Sequence, residues 1–247
     1  MSMRVLTITC LLVLPLLLML GATATAKDKG VHSLTVSNSG NTQGLTDKLT
    51  ITKFGDATPH DILVDIDAKM PAPSKAIKIR DAVNDYRHNG VKQFNAAIAA
   101  EDSKTVLITD TNGNNVKKIV FKNLSEQKWD TATIGGAIPP TNDQIIGATT
   151  VTGPIAGLNP DGQPAVFKVG AKVGALERSV TLDTDDYATV GAMLDAAVAS
   201  LQAQGIDASR DGNSIKVTLT NNADYFGAGC DDRGLEEELS AENIDTD

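Results

Sequence analysis

Along most of this chain apolar residues alternate with polar ones, the period of a half-buried β-strand. The runs HSLTVSN from His32, KLTITKF over Lys48–Phe54 and ILVDI over Ile62–Ile66 predict strands in antiparallel pairs. Gly55-Asp56-Ala57-Thr58-Pro59 has the composition of a turn between them. AIKIR at Ala76–Arg80 alternates in the same way and reads as a further strand. From Asp81, a capping residue, the spacing changes and predicts a helix that faces Val83, Tyr86, Val91, Phe94, Ala97 and Ile98 inward, with a kink or break at Asn89-Gly90. TVLIT at Thr105–Thr109 and VKKIVF at Val116–Phe121 read as strands joined by the turn signal of Asp110–Asn115.

The second half carries the clearest helical stripe. Val190, Met193, Leu194, Ala197, Val198 and Leu201 recur at the spacing of one face of a 3.6-residue helix. Strands over Ala165–Leu176 and Val180–Leu182 precede it, and Ile206–Ser209 pairs with Ile215–Leu219 across Arg210-Asp211-Gly212-Asn213. Asp185 and Asp186 suit the positive end of the helix dipole and a capping role; Gly205 suits the left-handed residue that ends a helix. Between the halves, residues 124–164 hold Gly135-Gly136, Pro139-Pro140, Gly153-Pro154 and Asn159-Pro160-Asp161-Gly162, the composition of a linker or extended loops.

These patterns predict an α+β chain of two small repeated modules, each of antiparallel strands packed on one helix, joined by a Gly/Pro-rich linker. The first module covers 31–123 and the second 165–226. The repeat matches Ala76–Arg80, a helix and Thr105–Thr109 with Ser179–Asp183, a helix and Ile215–Leu219, a spacing of about 100 residues that suits a duplicated domain and exceeds a solenoid period. The ending CDDRGLEEELSAENIDTD is crowded with carboxylates and makes 227–247 an acidic, solvated tail.

Residues 1–26 read as a signal peptide: Arg4 precedes the apolar run Leu11–Leu20, and Ala22-Thr23-Ala24-Thr25-Ala26 supplies small residues for cleavage after Ala26. The apolar run falls short of the roughly 20 residues that a membrane helix needs. The expected location is therefore secreted or cell-surface, with the periplasm as the alternative, and no membrane span remains after cleavage. The chain carries 31 acidic against 22 basic side chains, a net charge of −9. That balance opposes a nucleic-acid partner, whose phosphates call for clustered Lys and Arg. One cysteine, Cys230, lies beyond the signal, so no internal disulfide is expected. Aromatic residues make up 4% of the chain, too few for a broad stacking platform.

Candidate chemistry is sparse. His32, His60 and His88 show no metal-ligand spacing, and neither a Gly-x-Ser-x-Gly elbow nor a phosphate loop occurs. Asp110, Asn112 and Asn114, and separately Asp183, Asp185 and Asp186, present oxygens suited to calcium, against the plainer reading of turn and cap residues. No cofactor is expected.

The order of elements over about 167–219 resembles the insertion motif of flagellins and hook-associated proteins. The resemblance rests on Phe167-Lys168-Val169-Gly170, the Asp185-Asp186 helix entry, Ala196-Ala197-Val198 in a small-residue-rich helix, Gly205-Ile206-Asp207-Ala208-Ser209, and the hairpin run Gly212-Asn213-Ser214-Ile215-Lys216-Val217. That family's helix usually carries an Ile-Asn pair where this chain has Ala197-Val198. The resemblance implies a small β-rich decoration domain on an extracellular protein and brings no catalytic residue. The expected function is a non-catalytic exported structural or interaction protein, surface-associated or part of an extracellular assembly, whose partners are other extracellular proteins or copies of itself. The alternatives are a glycan- or protein-binding module, for which an exposed aromatic group near Trp129 is the feature to seek, and a secreted hydrolase whose paired carboxylates no motif marks.

Overall fold

The computed structural model describes residues 31–39, 44–113, 116–123, 132–137, 144–220 and 224–244. The predicted signal peptide, Asn114 and Trp129 lie outside them. The first half supplies β1 (Val31–Val36), β2 (Leu45–Thr52), β3 (His60–Ile66), α1 (Ala72–Asp85) and β4 (Arg87–His88). It continues with β5 (Val91–Lys92), β6 (Phe94–Ile98), β7 (Thr105–Asp110), β8 (Lys118–Asn123) and β9 (Ala132–Ala137). The second half supplies β10 (Gln144–Thr152), β11 (Val166–Val173), β12 (Leu176–Asp183) and α2 (Val190–Ala203), followed by β13 (Ala208–Asp211), β14 (Ser214–Leu219), β15 (Tyr225–Cys230) and β16 (Glu236–Ile244). The class is α+β, with antiparallel strands predominant.

Two seven-stranded antiparallel sheets form, in the orders β12-β11-β15-β9-β1-β7-β6 and β13-β14-β10-β16-β8-β2-β3. They pack face to face through β10 on β15 and β16 on β9. The inward residues alternate as a sandwich requires: Leu34 and Val36 of β1, Leu49 and Ile51 of β2, Phe167 and Val169 of β11, Leu239 and Ala241 of β16 are all buried. The sheets approach tightly where Gly147 of β10 faces Phe226 of β15; a Cβ on Gly147 would stand 2.4 Å from the Phe226 Cβ.

A helix lies along each lateral edge. α1 packs on β3 and β6, the outermost strands of the two sheets on one side, and α2 packs on β12 and β13 on the other. Set aside the small β4–β5 ribbon, and each half runs strand, two strands, helix, two strands, strand, strand. Matched in that order, the strand sequence of one sheet read from the α1 side equals that of the other read from the α2 side. Each half gives four strands to one sheet and three to the other. The halves are stitched by β9–β15 and β8–β16 pairing.

Several expected elements come out differently. Ala76–Arg80 lies inside α1, whose buried residues are Ala72, Lys75, Ala76, Ile79 and Val83. That is a helical stripe, disguised because a lysine occupies one of its buried positions. The repeat therefore does not run in the register of Ala76–Arg80 with Ser179–Asp183. The helix expected from Asp81 to Ile98 stops at Asp85. Asn89 and Gly90 then form the two-residue loop of the β4–β5 hairpin, with φ of 51° and 77°. Such a loop favours positive φ at both positions, which Asn and Gly tolerate. Thr105–Asp110 and Lys118–Asn123 lie in different sheets, so these two strands do not pair as a hairpin. The stretch 124–164, read as linker, contributes β9 and β10, and β10 buries the alternate positions Ile145, Gly147, Thr149 and Val151. The stretch read as an acidic tail contains Cys230, buried in β15, and all of β16, an interior strand of its sheet. Its charges were read as solvated because nothing local shows their partners: Lys118 pairs with Glu242 at 2.9 Å, and Lys122 with Glu236 at 2.8 Å and Glu238 at 3.4 Å.

Candidate interaction site

The richest meeting of polar and aromatic side chains lies at one end of the first half, where residues 53–59 meet 86–93. His60 opens β3 on its inward face and is 6% exposed. Its ring is boxed edge-on by Tyr86 at 5.8 Å, His88 at 5.2 Å and Phe94 at 5.4 Å between centroids. Nε2 stands 3.4 Å from Asp56 Oδ2, and Nδ1 stands 3.4 Å from the Tyr86 hydroxyl. Burial opposes the Asp56 charge, but hydrogen bonds from Lys53 and His60 outweigh it and hold the carboxyl below its ordinary range. Lys53 Nζ donates to Gln93 Oε1 at 2.7 Å, and Gln93 Nε2 donates to the Val91 carbonyl at 2.9 Å. The two loops are thereby locked to each other.

Both nitrogens of the His60 ring are engaged and the ring is covered, so the arrangement positions loops more readily than it moves protons in a substrate. Its outer surface presents His88 with two apolar tips, Phe54 at 47% and Val91 at 63% exposure. A shallow concavity of about 480 Å³ opens elsewhere on the same half, where β3 leads into α1, lined by Asp67, Lys69, Met70, Pro71, Ile77 and Lys78.

The other sequence-predicted residues are placed as follows. Asp110 Oδ1 accepts from the Asn112 backbone N–H at 2.8 Å, the turn arrangement. Asp183 ends β12, and Asp185 and Asp186 sit in a short 3-10 turn, Thr184–Asp186. The two acidic sets occupy strands separated by β11, β15, β9 and β1, and they are not brought together. Among the described residues no three His, Cys, Asp or Glu side chains converge as metal ligands. The N-cap of α2 is Thr189, whose hydroxyl accepts from the Ala192 N–H at 3.1 Å, and not Asp185 or Asp186. Gly205 does adopt the left-handed conformation beyond that helix, at φ +87°.

Two buried acids were hidden from sequence reading. Asp232, fully buried, accepts from the N–H groups of Ala156, Gly157 and Gly234 and from the Thr184 hydroxyl. Asp231 accepts from the Val166 N–H at 2.5 Å, and burial raises its carboxyl above the ordinary range. The Asp-x-Gly spacing of Asp232 and Gly234 is the one local signal of such a turn.

No family model matches the chain, and no curated protein matches it. Among solved structures, the crystal structure of the flagellar cap protein FliD from Helicobacter pylori is similar over 77% of this chain and 51% of that one, at 15% identity and a TM-score of 0.21. The chain thus spans about half of that protein's length. A TM-score of that size falls below a shared fold. Among the described residues no helix is long and apolar enough to cross a membrane.

Proposed function

We propose that this is an exported, non-catalytic structural or interaction protein of the cell surface or an extracellular assembly, built on a duplicated module. It meets other extracellular proteins, or copies of itself, through the end formed by residues 53–59 and 86–93. The observation that carries the reading is the exposure of Phe54 and Val91 on a base fixed by the His60, Tyr86, His88 and Phe94 rings. Apolar side chains held in water on a rigid base cost little entropy to bury against a partner. The matched order of elements in the two halves supports duplication. The pattern of residues 1–26 supports export.

The test combines location with contact. Tagged full-length chain in an exporting bacterial host is expected outside the cytoplasm, cleaved near Ala26. Chemical cross-linking on intact cells is expected to yield adducts that the double variant Phe54→Ser, Val91→Ser loses while staying folded. Retention in the cytoplasm, or adducts unchanged in the double variant, overturns the reading.

A further inference from the structure

Inside the first half, Lys75 of α1 and Asp47 of β2 meet with 2.9 Å between Nζ and Oδ2, their side chains 0% and 1% exposed. The Lys75 ammonium also lies 5.4 Å from the centroid of the Phe121 ring. Leu45 and Leu49 flank Asp47 on the same inward face of β2. A buried ion pair is a poor source of stability, because desolvating both charges offsets their attraction. Nor does the position demand a charge. Lys75 is the fourth residue of its helix, and the fourth residue of α2 is Met193, also 0% exposed in the other half of the sandwich. An unbranched apolar side chain fills the matching slot there.

We propose that Lys75 and Asp47 condense into an intramolecular isopeptide bond, a covalent cross-link between α1 and β2. In an apolar interior, passing a proton from the ammonium to the carboxylate removes two buried charges and leaves a neutral amine beside a carboxylic acid. The carboxyl carbon lies one bond beyond Oδ2, so a small side-chain rotation sets nitrogen and carbon at the roughly 3–3.5 Å of a near-attack pair. The nitrogen lone pair attacks that carbon, the C–N bond forms, and the C–OH bond breaks. The leaving hydroxyl takes a proton from nitrogen and departs as water. Ammonium and carboxylate become a secondary amide and one water, with no oxidant or reductant. The product is uncharged, which removes the desolvation penalty, and it closes the chain between residues 47 and 75. In a chain whose one cysteine beyond residue 26 is Cys230, this cross-link restrains the unfolded state as a disulfide does.

The test is intact-mass analysis of the purified, folded protein with peptide mapping. The mass is expected to fall short by one water of the sequence mass of the chain left after cleavage near Ala26, with the peptides carrying Asp47 and Lys75 joined. Lys75→Met, which copies Met193, is expected to fold and to show its full sequence mass, and Asp47→Ala likewise to lose the joined peptide. A wild-type mass equal to the sequence mass, or a missing water mapped to any other residue, overturns the proposal.

Discussion

At the scale of single residues, the buried acids set the clearest expectations. Asp232 gathers donors from three separate turns, and its removal takes this acceptor from the Ala156, Gly157 and Gly234 N–H groups and leaves the Thr184 hydroxyl with its longer bond to the Ala165 carbonyl at 3.3 Å. Asp232→Ala is expected to cost about 3 kcal/mol or more in urea unfolding. Asp231 has the opposite character. Burial raises its pKa above the ordinary 3.8, the Val166 N–H and its own backbone partly offset this, and Asp232 adds repulsion. The folded state therefore binds this proton more tightly than the unfolded chain, so stability declines as pH rises from 3.8 through the raised value. Asp231→Asn keeps an oxygen for Val166 and deletes the charge. It is expected to stabilise the protein at neutral pH, with the advantage vanishing in unfolding titrations below the ordinary carboxylate range. Tyr225, desolvated and hydrogen-bonded to Glu177 Oε1 at 2.5 Å, has its phenol pushed up to about 12. Ultraviolet titration is expected to find one tyrosine ionising late, and earlier in Glu177→Gln. Apart from the Asp232–Gly234 turn, none of these partners was legible in sequence, since the other bonds join residues 48 or more apart along the chain.

At the scale of elements, legibility followed the purity of the pattern. α2 was readable because every buried position in it is apolar and Gly205 stands beyond its end; its N-cap, Thr189, was passed over for Asp185 and Asp186. Thr189→Ala is expected to cost about 1 kcal/mol, measured by thermal or urea unfolding, as the loss of an N-cap does. α1 was misread because Lys75 interrupts its stripe while Ile77, 43% exposed, and Ile79 feign a strand. Its start is fixed from outside: Asn38 Oδ1 accepts from the Ala72 N–H at 2.8 Å. β10 was hidden among the Gly and Pro pairs on either side of it, and its one glycine, Gly147, is the residue that lets it approach Phe226. Gly147→Ala is expected to destabilise by about 1–3 kcal/mol through overpacking, read from the shift in denaturation midpoint.

At the scale of the molecule, two seven-stranded sheets run through both halves without interruption, and β9–β15 and β8–β16 are the seams. Splitting the protein at residue 143 would expose two interior strand edges in each half and the core beneath them. Calorimetry is expected to show one cooperative unfolding transition for the whole chain. Two well-separated transitions would show that the halves are independent, as the linker reading of 124–164 had it. The candidate surface is likewise a product of scale. Phe54 and Val91 look unremarkable in sequence and become neighbours of one cluster through Lys53, Gln93 and the rings around His60.

Local rules were enough for the α+β class, many of the alternating strands, the α2 helix and an interruption at Asn89-Gly90, because backbone geometry and side-chain period act over a few residues. Which strands share a sheet, which acids are buried, and that Lys75 meets Asp47 depended on contacts between distant segments. Burial and charge pairing are properties of the packed chain, so a lysine in a core and carboxylates in an interior strand take their meaning from neighbours that primary order does not display.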